Sequence, residues 1–361
     1  MSSLAPTAVR AWADGVAVLS TGDVRIPLYP AASATPRLAD QRYRGAAGEP
    51  ELRSAIGVFS GLEPDNLLVT PGARQALLLA FATLVADRRE ILLTAPYWAS
   101  YAPLARTVGI TLTVLPDLTS LRAAVGPQTG AVLINSPRNP DGAVLAAGEL
   151  AELVGWTGEA GLRLIFDQVY RGVPLPGPAA PSPAELPGGL PAHCLLVDGL
   201  SKSHALAGLR IGWLAGASEL LAPAAGLASH LIGGTSSAGQ DVALAALESS
   251  ESARAELGRL LAENRDYGVA QLDAVPGVNC ARPDGGIFLF PDLGDWLTVT
   301  GKGSKELVGW LEREHAVAVV DGSAFGAPGH LRLSYGVEPD QFRVGVDRLV
   351  AALSQHASGP R

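Results

Sequence analysis

The chain has 361 residues, 48% of them apolar, and a net charge of −8 spread along its length. That length exceeds what one hydrophobic core usually fills, so two lobes are expected, and the lack of any Lys/Arg-rich run argues against nucleic-acid binding. Cys194 and Cys280 lie far apart and make no metal spacing, which points to a reduced cytoplasmic protein; no signal peptide is read, and the longest apolar run, 76–86, is too short to span a bilayer.

The first forty residues are irregular and read as an N-terminal arm that belongs with a smaller lobe. A large domain over 41–261 follows. Its helical patterns cover 50–59, 73–86, 101–108, 146–160 and 237–261. Its strand-like runs cover 66–69, 90–94, 111–115, 131–135, 162–167, 194–198 and 212–215. Several runs are wholly apolar, as strands covered on both faces are. The alternation predicts an α/β fold with a mainly parallel seven-stranded sheet between helices. A proline-dense stretch, 174–191, reads as a surface loop. Over 262–361 the texture changes to short strands at 287–290, 316–320 and 330–333 with helices at 305–315 and 339–353, a small α+β domain.

Polar residues collect where these strands end, the edge at which open α/β sheets bind ligands. After the first strand, Gly72-Ala73-Arg74 opens a helix, and free N–H groups there suit an anion. Pro96-Tyr97-Trp98 offers aromatic faces to a flat ring. Asn135-Ser136-Pro137-Arg138-Asn139-Pro140 is a rigid turn able to hold the Asn139 amide at a fixed angle. Asp167 closes an apolar strand three residues before Tyr170, and such an aspartate needs a partner or a capping role. Ser201-Lys202 ends another strand; burial disfavours the charge of Lys202 and favours the neutral amine that a Schiff base requires. Arg210, between Gly208 and Gly212, is a candidate phosphate clamp.

Taken in order, Tyr43-x4-Gly48, Pro96-x-Trp98, Asn139-Pro140-x-Gly142, Asp167-x-x-Tyr170, Ser201-Lys202 and Gly208-x-Arg210-x-Gly212 resemble the fold-type I enzymes dependent on pyridoxal 5′-phosphate (PLP), in particular the class I/II aminotransferases. The resemblance runs from about Tyr43 to Tyr335. It implies that Lys202 holds PLP as a Schiff base, that Asp167 pairs with the ring nitrogen, and that Asn139 and Tyr170 bond the phenolic oxygen. Trp98 would stack on the ring. The Gly72-Ala73-Arg74 amides, Ser201 and Arg210 would surround the phosphate, and Tyr43 would reach the phosphate of a neighbouring subunit in a homodimer. Arg332, in His330-Leu331-Arg332-Leu333-Ser334-Tyr335, would grip the substrate α-carboxylate, with Asn139 and Trp98 beside the substrate.

The implied activity is ping-pong transfer of an amino group from an L-amino acid to a 2-oxo acid. A same-fold enzyme performing elimination, cyclisation, decarboxylation or oxidation is the alternative, as is a histidinol-phosphate-type aminotransferase in which Arg332 grips phosphate. Departures from the family pattern leave that room. Gly199 stands where most relatives carry a phosphate-binding serine, His204 replaces a large aromatic residue, and the usual glycine-proline signature is missing from 27–32.

Overall fold

A computed structural model describes residues 15–26, 44–84, 88–249 and 251–357. In chain order its elements are β1 (Ala17–Val18), α1 (Pro50–Ser60), β2 (Leu67–Thr70), α2 (Ala73–Ala82), β3 (Glu90–Thr94), α3 (Tyr101–Thr107), β4 (Thr111–Leu115), α4 (Leu118–Ala123), β5 (Thr129–Asn135), α5 (Ala147–Glu159), β6 (Arg163–Asp167), β7 (Cys194–Gly199), α6 (Leu200–Ser203) and β8 (Gly212–Gly216). There follow α7 (Ser218–Leu231), α8 (Ser237–Ser249), α9 (Glu251–Asp273), β9 (Phe288–Leu289), α10 (Gly294–Thr300), α11 (Ser304–His315), β10 (Val317–Ala318), β11 (Val320–Asp321), β12 (Leu331–Ser334) and α12 (Pro339–Ala357).

Among the described residues the large sheet has seven strands in the order β2-β8-β7-β6-β5-β3-β4. Pairing is parallel from β7 through β4, and β8 runs antiparallel to both β7 and β2. Burial follows position. The central strands β7 and β8 are buried at every residue, whereas the edge strand β4 exposes Thr111 and Val114. Reversal at β8 matters for the site. It sets Gly212, at the start of β8, opposite Thr70 at the end of β2 and Gly199 at the end of β7. The N-terminus of α2, the segment before β8 and the turn after β7 therefore share one edge of the sheet.

The second core gathers α9, β9, α11, β12 and α12 around Phe288, Trp296, Tyr335 and Phe342, with Leu19 and Val24 from the N-terminal segment. β1 pairs in parallel with β10, and Leu19 accepts the Ser334 N–H at 2.7 Å. This pairing carries residues 20–24 toward the end of the large sheet.

Some expectations change. The helix expected over 237–261 is described as α8 up to Ser249 and as α9 from Glu251, and α9 runs on past 261 to Asp273. The run at 316–320 divides between β10 and β11, which belong to different sheets. The proline-dense loop is not a plain surface loop. Ser182, Pro183 and Ala184 are buried, and Arg171 Nε donates to Ala180 O at 2.8 Å. No helix of the described residues is long and apolar enough to cross a membrane.

Candidate active site

The strand ends bring Asn135, Asp167 and Lys202 side by side on β5, β6 and the turn after β7, while β12, which packs in the second core, supplies Arg332. Asp167 is 3% exposed. One carboxylate oxygen accepts the Tyr101 hydroxyl at 2.7 Å and the other accepts the Val169 N–H at 3.2 Å. Asn135 fixes the strand end from beside it, donating to Asp167 O at 2.9 Å and accepting the Asn139 N–H at 2.7 Å. Burial lifts the Asp167 carboxyl to about 6, against the Tyr101 hydrogen bond, which lowers it. It remains mainly a carboxylate at neutral pH, and no cation pairs with it among the described residues.

Arg332 is 5% exposed and lies between the faces of Phe288 (4.2 Å) and Phe325 (4.8 Å). It donates to Asn139 Oδ1 at 3.1 Å and to Ser20 O at 3.3 Å, and its Nε has no partner. No carboxylate pairs with it among the described residues. Burial brings it down to about 10, so it stays cationic at neutral pH. A buried guanidinium with spare donors is unfavourable alone and suits an incoming carboxylate. The contact continues inward. The Asn139 amide donates to the Tyr170 hydroxyl at 3.2 Å, and the Tyr170 ring meets Phe288 edge-on. Burial raises Tyr170, which stays protonated.

Lys202 is half-buried on α6, and its Nζ donates to Gly22 O at 2.5 Å. Burial is the main cause that brings its pKa down to about 8; Asp23 opposes the shift, while Arg74, Arg210 and Arg332 add to it. A sizeable neutral fraction therefore exists near neutral pH, which an exposed lysine lacks.

The third part is a cradle at the start of α2. The Ala73 and Arg74 N–H groups find no acceptor among the described residues. Gly72 has φ +84°, and a Cβ there would lie 2.5 Å from Arg210 Nη2. Arg210 is itself in the left-handed region (φ +57°), held by Ala207 O and Pro71 O at 2.8 and 3.4 Å. Ser201 is buried within α6. Arg74 lays its guanidinium over Trp98 at 5.3 Å, and Trp98 meets Tyr101 edge-on. Tyr43 lies outside the described residues.

Two departures have structural accounts. At Gly199 a Cβ would meet Ile211 O at 2.9 Å and Gly212 Cα at 3.0 Å, so a serine does not fit this backbone. His204 is buried against Phe59 with its Nδ1 on Ser203 Oγ, and burial lowers it to about 3, a neutral packed ring. Sequence reasoning missed Tyr101, Asn135, Ser20 and Gly22. Tyr101 opens the helical pattern 101–108 and Asn135 opens the turn that carries Asn139, whereas Ser20 and Gly22 act through backbone carbonyls that leave no side-chain signal.

Residues 16–349 match the family described as aminotransferase class I and II. An aspartate aminotransferase of Streptomyces avermitilis is 33% identical over 334 residues, covering 87% of this chain and 82% of that one. The crystal structure of an aspartate aminotransferase from Thermotoga maritima superposes with a TM-score of 0.86 at 28% identity, over 94% of this chain and 92% of that one. An aromatic aminotransferase from Pyrococcus horikoshii superposes with a TM-score of 0.85 at 27% identity, over 94% and 96%.

Proposed function

We propose that this chain, which belongs to the class I and II aminotransferase family, takes its amino group from an acidic L-amino acid, aspartate or glutamate. The family is PLP-dependent, and the chain is an aminotransferase that passes an amino group to a 2-oxo acid. The preference for an acidic donor rests on one observation, a second cation besides Arg332. Arg74 has no ion-pair partner among the described residues, lies on Trp98, and is within electrostatic reach of both Lys202 and Tyr170. Two cations on one cleft suit a dicarboxylate. The aspartate aminotransferases among the similar proteins agree with that reading.

The residues present fit PLP. The open amides of α2 and Arg210 surround a position too tight for a Cβ at Gly72, as a phosphate cradle requires. The buried, cation-free Asp167 suits a protonated ring nitrogen, and Asn139 with Tyr170 suits the phenolic oxygen. Lys202 would form the covalent link, Trp98 would cover the ring, and Ser201 would join the phosphate group. When bound, PLP supplies the carbon that takes up the amino group and a ring that accepts the electron pair left at the substrate Cα.

The chain's own residues do the rest. Arg332 clamps the α-carboxylate, its orientation fixed by Asn139 and by the two phenylalanine faces, which also exclude water. Arg74 takes the distal carboxylate. Lys202 Nζ, low in pKa, removes the Cα proton and is placed to return it. The segment over Ser20 and Gly22 roofs the cleft. We place the enzyme in the cytoplasm as a homodimer, a reading that rests on its two free thiols and on the family role of Tyr43.

Removing the Arg74 charge should act on acidic substrates alone. Arg74→Gln is expected to raise KM for aspartate by about 10- to 100-fold, the worth of one charged hydrogen bond, and to leave KM for phenylalanine within about twofold. Equal effects on both would remove Arg74 from side-chain recognition. Gly72→Ala should displace Arg210 and strain the turn, weakening PLP binding by roughly tenfold or more in an absorbance titration of the cofactor-free chain. An unchanged dissociation constant would take the phosphate away from this cradle.

A further inference from the structure

Gly199 and the proline-dense loop have no role in the steps above, yet one buried chain of hydrogen bonds joins them. The Ser182 hydroxyl, in the loop, donates to Gln168 Oε1 at 2.7 Å. The Gln168 amide donates to Asp198 Oδ2 at 3.1 Å, and Asp198 Oδ1 accepts the Gly199 N–H at 2.7 Å. Ser182, Gln168 and Asp198 are all 2% exposed or less. The Gln168 backbone is pinned to the same strand, its N–H donating to Val197 O at 2.9 Å.

The chain of bonds ends at a mechanically sensitive point. Gly199 closes β7 and is the residue from which α6 departs, and α6 carries Lys202. The next residue, Leu200, donates its N–H to Ile211 O at 3.1 Å, and the lack of space for a Cβ at Gly199 shows how closely the β8 backbone approaches. Asp198 is also costly where it stands. It has no ion-pair partner within the described residues. Burial pushes its carboxyl up to about 7, the Gln168 and Gly199 hydrogen bonds and more distant Arg171 oppose that, and Asp167 on the adjoining strand adds to it. A carboxyl kept at such a site in place of an apolar residue points to a positional role.

We propose that Asp198 is a positioning residue for Lys202: through the Gly199 amide it fixes the turn from which Lys202 projects, and through Gln168 and Ser182 it fastens that turn to the proline-dense loop. This rests on Lys202 as the reactive amine.

Three variants test it: Asp198→Ala, Ser182→Ala and Asp198→Asn. Hydrogen exchange of the cofactor-free chain, read by mass spectrometry on a peptide spanning 195–203, reports the Gly199 amide without any turnover. Asp198→Ala should speed exchange in that peptide and leave α11 and α12 unchanged. In the holoenzyme its kcat should fall by roughly 10- to 100-fold, the scale of a small misplacement of a reacting group, with KM for the amino donor unchanged. Ser182→Ala removes only the far end of the chain and should produce the same changes to a smaller degree. It carries the test if Asp198→Ala does not fold. Asp198→Asn still offers an oxygen to the Gly199 N–H, and the Gln168 amide can reverse to accept from the new amide while donating to Ser182. It should restore slow exchange and most of kcat. Unchanged exchange in 195–203 in both alanine variants, or kcat within twofold of wild type in both, would overturn the proposal. An error about Lys202 itself would surface separately, as retained turnover in Lys202→Ala.

Discussion

Lys202→Ala is expected to end multiple-turnover transamination, with kcat falling by about four orders of magnitude or more, since one amine serves as both covalent anchor and proton carrier. The structural reason is the amine's setting. Burial and three neighbouring arginines bring it down to about 8, against Asp23. An arginine at this position could not shed its proton, so Lys202→Arg should be nearly as inactive as the alanine variant. The variant should still fold, because Lys202 makes one hydrogen bond, to Gly22 O. Steady-state assay with a coupled 2-oxo acid readout measures this. Turnover within about tenfold of wild type would assign the chemistry to another group.

Asp167→Ala should be less damaging but still severe, lowering kcat by about 100- to 1000-fold, the cost of removing one preorganised electrostatic partner, while retaining part of its PLP. The same residue gives a pH signature in the cofactor-free chain. Its carboxyl is raised to about 6 in the folded state, above the ordinary carboxylate range, chiefly by burial. A raised folded pKa means that the neutral form favours folding. The stabilising contribution is present at low pH and is lost as pH rises through about 6. Asp198 behaves alike, with its own loss near 7. The cofactor-free chain should therefore lose melting temperature from about pH 4, where the unfolded carboxyls ionise, up to the raised folded values (about 6 and about 7), and level off above them. Asp167→Asn should flatten that loss. With PLP bound, a protonated ring nitrogen offsets the Asp167 charge, so the gap between loaded and cofactor-free melting temperatures should widen toward neutral pH. A gap that stays constant would detach Asp167 from the ring nitrogen.

The large sheet was legible because β5, β6 and β7 each carry an unbroken apolar run that ends in a polar residue at one edge. Asp167 and Lys202 stood out for the same reason, as ionisable groups closing buried strands. α7 was not legible: Pro223 lies inside it, and a proline ordinarily argues against a helix interior. In the site, the pairing of Tyr101 with Asp167 spans 66 residues of sequence. It depends on how α3 sits over the end of β6, which no local pattern encodes. Ser20 and Gly22 reach Arg332 and Lys202 through main-chain oxygens, so their side chains carry no trace of the contact. Arg74 illustrates the opposite case. Its backbone N–H was legible from the helix start, but the course of its guanidinium over Trp98 was not.

The half-reaction separates these readings most directly. Holoenzyme is mixed with a single amino acid and no acceptor, and the decay of the cofactor–lysine absorbance is followed together with released 2-oxo acid. The account predicts one 2-oxo acid per active site from aspartate or glutamate, at a rate well above that for phenylalanine or histidinol phosphate. Faster reaction of phenylalanine or histidinol phosphate would contradict the acidic-donor assignment. Release of ammonia or carbon dioxide in place of a stoichiometric 2-oxo acid would contradict transamination itself.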